Sequence, residues 1–104
     1  MILKLVEEKP MEYPTDMELL IAKAELLKAI AHPIRLCIVK GLLEQGECNV
    51  NKIQSCLQIP QSTISQHLSK LRDTGIIKGN RHGVEIFYQV VNEDLKKVIK
   101  ALFP

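Results

Sequence analysis

Apolar residues recur along most of this chain at intervals of three and four. Leu19, Leu20, Ala24, Leu26, Leu27, Ile30 and Ala31 keep that spacing, as an amphipathic helix requires. Thr15-Asp16-Met17-Glu18 before them reads as a capping box, with Thr15 as N-cap and Glu18 at the third helical position. Pro33 suits the first position of a second helix, where its missing N–H costs nothing. Ile34, Leu36, Cys37, Ile38, Val39, Leu42 and Leu43 then cover a wide arc, which places that helix at the centre of a core. Gly46 ends it. Asn49 can cap a short third helix bearing Val50, Ile53, Cys56 and Leu57, broken by Ile59-Pro60. From Gln61 a fourth helix carries only a narrow stripe, Ile64, Leu68 and Leu71, and stops at Gly75.

The period then changes. Ile76-Ile77-Lys78, the turn-like Gly79-Asn80-Arg81-His82-Gly83 and the alternating Val84–Val90 predict a β-hairpin with a basic tip. Asn92 caps a last helix, with Glu93 and Asp94 in its first turn and Lys96, Lys97 and Lys100 nearer its end, as the helix dipole favours. Its apolar face is Leu95, Val98, Ile99, Leu102 and Phe103. Residues 1–14 hold Pro10 and Pro14 without a period and are expected to form an N-terminal arm, leaving 15–104 as one domain. The expected fold is mainly α with a small β-hairpin: four helices, the hairpin, then a fifth helix. Two short helices joined by a tight turn and followed by a hairpin make a winged helix-turn-helix.

Composition narrows the class. The 104 residues are 46% hydrophobic and 25% charged, an ordinary globular balance rather than a disordered one. No apolar run approaches the roughly 20 residues of a membrane helix, and Met1–Glu8 lacks the features of a signal peptide. Three cysteines, Cys37, Cys48 and Cys56, are an odd number, which argues against a secreted disulfide framework. A soluble cytoplasmic protein is expected. Gly-rich phosphate loops, HExxH and nucleophile elbows are all missing, so no enzymatic activity is expected.

A net charge of +2 implies little until it is located. Residues 61–83 hold Lys70, Arg72, Lys78 and Arg81 against Asp73 alone, with His67 and His82 among them. A local basic patch suits contact with phosphate, although four charges by themselves favour a solvated face. The fourth helix sharpens the choice. With its stripe at the origin of a helical wheel, Ser62, Gln66 and Ser69 point to the opposite side, and Thr63 and Ser65 to the flanks. Short hydroxyl residues are poor helix formers, yet Gln can bond adenine bidentately and Ser and Thr can serve bases or phosphates. Gln61, Ser62, Thr63, Ser65 and Gln66 are therefore expected at a DNA major groove, with Lys70 and Arg72 on phosphates. Lys78, Arg81 and His82 on the wing are expected at the backbone or minor groove. His67, beside the stripe, either packs or meets DNA, and His32 before Pro33 is structural.

Three segments carry a resemblance. Pro60-Gln61-Ser62-Thr63-Ile64-Ser65-Gln66-His67-Leu68-Ser69-Lys70-Leu71 closely resembles the recognition helix of the ArsR family of bacterial winged-helix repressors. Ala24–Leu36 is similar to that family's junction between first and second helices, and Gly83–Tyr88 to its returning wing strand. The resemblance runs over nearly the whole chain, from about Glu18 to Leu102, and three separate segments in order make it specific. The resemblance is greatest to a metal-independent branch that includes a toxin-operon repressor of bacilli. It implies a repressor of a double-stranded DNA operator, acting as a homodimer through its first and last helices, here Leu19, Leu26, Leu95, Ile99 and Leu102. A small monomer would expose those faces.

The family's sensing sites do not carry over. Metal-sensing members hold a Cys-x-Cys pair at the start of the third helix, where Glu47–Ile53 places Asn49 and Asn51. Zinc-type members use Asp and His pairs on the last helix, and residues 92–104 contain no His. No metal and no cofactor are expected. Thiol-sensing members pair cysteines on the second and last helices, but the last has none and the second-helix position aligns with Lys40. Cys37 and Cys56 are expected in the core and Cys48 at the surface. Two alternatives remain beside the repressor: an interaction module that dimerises or binds a partner without reading DNA, and a repressor responsive to thiol oxidation.

Overall fold

The computed structural model describes residues 16–104; the expected arm over 1–14 and Thr15 lie outside them. Among the described residues five helices and three strands follow one another as α1 (Met17–Ile30), α2 (Pro33–Gln45), β1 (Cys48–Asn49), α3 (Val50–Leu57), α4 (Gln61–Asp73), β2 (Ile77–His82), β3 (Glu85–Val90) and α5 (Glu93–Leu102). The winged helix-turn-helix order is present, with one strand that the sequence did not reveal. β1 pairs antiparallel with β3, Cys48 opposite Tyr88 and Asn49 opposite Phe87, so the wing is a three-stranded sheet in the order β1-β3-β2. Two residues are too few to leave an alternating pattern.

Side-chain caps fix most helix starts. Asp16, rather than the expected Thr15, caps α1: its Oδ1 accepts the Leu19 N–H at 3.0 Å. His32 Nδ1 accepts the Ile34 N–H at 3.1 Å at the head of α2, with Pro33 beside it. Asn49 and Asn92 cap α3 and α5 through the Lys52 and Leu95 N–H groups. Each bond satisfies a donor that the helix itself leaves open.

The hairpin differs from expectation at its tip. β2 runs on through the stretch expected to turn, and His82 pairs with Glu85. Only Gly83 and Val84 are left as the loop. Gly83 has φ +66° and Val84 is not left-handed, the pattern of a type II′ turn, whose twist matches that of the strands. Gly79 is needed for another reason: a Cβ there would lie 2.9 Å from Ile86 Cγ2 and 3.2 Å from Tyr88 Cε1.

The core lies where α2, α4, α5 and the sheet converge. Val39, Ile64, Leu68, Leu71, Ile76 and Leu95 are its most completely enclosed side chains, and no polar or charged residue is buried among the described residues. α1 joins this core only through Ala29 and Ile30, with Leu26 half-buried against it. Leu95 and Ile99, expected at an interface, are 1% and 3% exposed within the single chain and belong to its own core. They are unavailable to a partner. Leu19 and Leu102 are exposed, together with Met17, Leu20, Ile21, Leu27 and Phe103.

The cysteine expectations are reversed. Cys37 and Cys56 are exposed and Cys48 is buried. The buried edge of α2 is Ile38, Val39 and Leu42, so Cys37 falls outside it, whereas pairing of β1 with β3 draws Cys48 inward. None of the described helices is long and apolar enough to cross a membrane.

Candidate nucleic-acid interface

α3 and α4 are joined by Gln58, Ile59 and Pro60. Gln58 is left-handed at φ +57°, its N–H donates to the Gln54 carbonyl at 2.8 Å, and Gln54 Nε2 donates to the Ile59 carbonyl at 3.3 Å. A left-handed non-glycine residue costs about 1–2 kcal/mol, offset here by hydrogen bonds on both sides of the turn. The turn closes the helix pair.

α4 is amphipathic in the expected way. Ile64, Leu68 and Leu71 are buried, while Gln61, Ser62, Ser65, Gln66, Lys70 and Arg72 are exposed and Thr63 is half-buried. Its start differs from the other four, since Pro60 provides no side-chain cap. The Thr63 and Ile64 N–H groups bond the Pro60 carbonyl at 3.0 and 3.2 Å. Among the described residues no side chain caps the first turn, where the dipole is positive and anions are favoured.

His67 is held from behind. Arg35 Nε donates to its Nδ1 at 3.1 Å, and Arg35 Nη1 donates to the Ala29 carbonyl at 3.2 Å. The His32 ring lies 4.7 Å away, centre to centre. Burial first, then the positive fields of His32 and Arg35, hold His67 below the ordinary histidine value. Of the two roles open to it, packing is the one this geometry favours. Arg35 thereby fastens the end of α1 to α4. The sequence left it unnoticed as a charged residue within the apolar arc of α2.

On the wing, Lys78 and Arg81 are exposed. Asn80 and His82 share the opposite strand face from Arg81 and turn toward Glu47. Asn80 Nδ2 donates to Glu47 Oε2 at 3.0 Å, and His82 Nε2 lies 3.8 Å from Glu47 Oε1. The His82 ring also meets Phe87 edge-on at 5.2 Å. His82 is exposed as expected, in the last strand pair before the Gly83-Val84 loop, with its ring between Glu47 and Phe87. Asn49 Nδ2 donates to Glu85 Oε1 at 3.2 Å, so the segment before α3 is tied to both long strands. The tip itself is apolar, with Val84 95% exposed. A shallow recess of about 240 Å³, lined by Asn49, Asn51, Gln61, Val84 and Glu85, lies between the starts of α3 and α4 and the wing.

These residues do not fit the metal centres of the resembling family. Asn49 caps α3 with its oxygen and donates its amide to Glu85, and neutral amides are poor ligands for soft or zinc-type ions. No group of three or more His, Cys, Asp or Glu among the described residues is placed to hold a metal.

Comparison with known proteins agrees with this architecture. The family model for "Bacterial regulatory protein, arsR family" matches residues 32–78, from the cap of α2 into β2. The transcriptional repressor PagR of Bacillus anthracis is 48% identical over 81 residues, covering 78% of this chain and 81% of that protein. Its crystal structure superposes with a TM-score of 0.75 over 80% of this chain and 94% of its own, at 47% identity. The biofilm growth-associated repressor of Agrobacterium fabrum is 36% identical across 95% of this chain and 92% of that protein. With the helix-turn-helix, the wing and relatives of this similarity in agreement, the chain belongs to the ArsR family of bacterial regulatory proteins.

Proposed function

We propose that this regulator is a homodimeric repressor that binds a pseudo-palindromic operator on double-stranded DNA in the cytoplasm. The observation that carries the reading is α4: an amphipathic helix without a side-chain cap, with Gln61, Ser62, Ser65 and Gln66 exposed. Ser62, Ser65 and Gln66 would read base edges, with Gln61 and Thr63 at the helix start. Lys70, Arg72, Lys78 and Arg81 would neutralise phosphates.

The dimer would form on α1. Met17, Leu20 and Ile21 are exposed on it, and apolar patches of this kind on a small domain mark interfaces. Leu19, Leu26 and Leu102 would join them from α1 and α5. A two-fold axis there would present two copies of α4 to major grooves roughly 34–36 Å apart. Two relatives carry the word repressor in their names, which supports the sign of the regulation.

A mobility shift on genomic fragments selected by the protein tests this reading. Binding should survive excess nonspecific DNA. Loss under competition would leave a module that dimerises or binds a partner without reading sequence. Titration with Zn(II), Cd(II) and As(III) under reducing conditions should leave operator affinity unchanged. Stoichiometric metal binding with tenfold weakening, about 1.4 kcal/mol of coupling, would restore a metal sensor.

A further inference from the structure

Away from α4 and the wing, a recess of about 210 Å³ opens between α2 and α3, and all three cysteines of the chain line it. Cys37 on α2 and Cys56 on α3 are exposed, and Cys48 on β1 is buried. Ile38, Leu42 and Ile53 give it an apolar lining. Lys52 at its border is exposed and has no ion-pair partner among the described residues. The thiols are free and no metal-holding cluster forms among the described residues, so neither a disulfide nor an ion accounts for their common position.

Gly41 is a second, independent observation. It sits inside α2 and lines the same recess. Glycine inside a helix costs about 0.8–1.0 kcal/mol relative to alanine, and close packing is the usual reason to keep one. Here an added Cβ would meet nothing within 4 Å among the described residues, and the backbone is ordinary helix. What the glycine preserves among the described residues is open space beside the thiols.

We propose that the recess binds a small apolar electrophile of the quinone class, which adds covalently to Cys37 or Cys56. Its volume lies below the roughly 300–1,000 Å³ typical of sites for drug-sized ligands, which suits a molecule of one ring. The apolar lining takes the ring, thiolates are the soft nucleophiles, and Lys52 supplies a cation near the carbonyl oxygen as it gains charge. The thiol yields its proton to water and its sulfur forms a C–S bond to the ring carbon β to a carbonyl. The C=C π pair becomes a double bond to the carbonyl carbon, and the C=O π pair moves onto the oxygen, which takes a proton from water. The hydrogen on the attacked carbon then moves through solvent to the second oxygen, giving a hydroquinone thioether. The quinone is itself the oxidant, so no other is needed. An adduct between α2 and α3 would shift the helix-turn-helix against α2 and weaken operator binding. That consequence rests on the repressor reading; the adduct does not.

The test uses the full chain with 2-methyl-1,4-benzoquinone, read by intact mass and peptide mapping. One adduct per chain should form on Cys37 or Cys56 at a rate that saturates with quinone, and operator affinity should fall at least tenfold. Gly41→Leu fills the recess from a position where the Cβ meets open space. It should slow the quinone adduct at least tenfold while iodoacetamide, small and polar, alkylates the same cysteines within threefold of the parent rate. As a check independent of that variant's folding, 2-methylhydroquinone under anaerobic conditions should protect Cys37 and Cys56 of the parent from iodoacetamide. Equal quinone rates in both proteins, or no protection, would make these ordinary surface thiols and overturn the proposal. So would loss of the dimer in Gly41→Leu, which would assign the recess to an interface. An adduct that leaves operator affinity unchanged would overturn the regulatory consequence alone, and failure of the unmodified protein to bind an operator would overturn the repressor reading but not the site.

Discussion

α1 and α4 are nearly equal in length, 14 and 13 residues, and opposite in what they show to solvent. α4 buries every large apolar side chain it has and presents serine, glutamine and basic residues. α1 buries Ala29 and Ile30 at its last turn and leaves Met17, Leu19, Leu20, Ile21 and Leu27 exposed. The difference separates two kinds of surface. A helix whose stripe is already satisfied can offer polar groups to a hydrated ligand, whereas one whose stripe faces water gains by burying it against another chain. Lys23 and Asp94 add an exposed ion pair between α1 and α5, but pairs of this kind contribute little to stability.

The largest expected effect breaks the contrast on the α1 side. Leu20→Glu should leave the protomer folded, because that side chain faces solvent within it. It should weaken the dimer by about 3–5 kcal/mol, the cost of an unpaired buried charge, and sedimentation would show monomer. A variant still dimeric would place the interface elsewhere. Ile99→Glu would not test the same point, since Ile99 lies inside the protomer.

Leu71→Ala attacks the other stripe. Leu71 is 0% exposed, so its truncation should cost about 2–5 kcal/mol of protomer stability in urea titration. A loss confined to dimerisation would erase the distinction between the two helices. On the polar face of α4, Gln66→Ala should cost roughly 1–3 kcal/mol on the selected operator and little on random DNA. Equal losses on both would show that Gln66 does not read bases. Arg81→Ala should weaken both alike and reduce the salt slope by about one phosphate's worth; an unchanged slope would remove Arg81 from the interface.

The smallest effect concerns the fastening behind α4. His67 is held below its ordinary value, so the unfolded chain takes up the proton first. Its contribution to stability is complete above about pH 6.5 and is lost as the pH falls toward the folded value. His67→Asn keeps an acceptor for Arg35 and removes the titration. Urea midpoints measured from pH 7 to pH 5 should fall less steeply in this variant, and an identical fall would assign the sensitivity to another group.

The helices were legible because their signals are local. Pro33, Gly46, Asn49 and Asn92 act on neighbouring backbone groups, and the stripe of α4 follows from its spacing. The wing was legible in type but not in extent: Gly79 looked like part of a turn and serves instead as a close-approach position beneath Ile86 and Tyr88. The cysteines misled because an apolar arc does not say which part of itself will be covered. Among candidate DNA contacts, residue chemistry identified the Ser and Gln face, which local periodicity then oriented. Contacts spanning long separations stayed invisible, as with Arg35 and His67, 32 positions apart.

β1 is only two residues long, yet it fastens the wing to the segment that starts the helix-turn-helix, and Glu47 and Asn49 reinforce the joint. A loosely hinged wing could follow an operator whose flanks were displaced. One stapled at its base would, on the proposed reading, act with α4 as a two-pronged gauge of fixed span. Nucleotides along a DNA strand are spaced about 3.4 Å apart, so inserting a single base pair between the two footprints forces a choice of which prong stays engaged. Operators should therefore be constrained in the distance from the base-read core to the flank as well as in sequence.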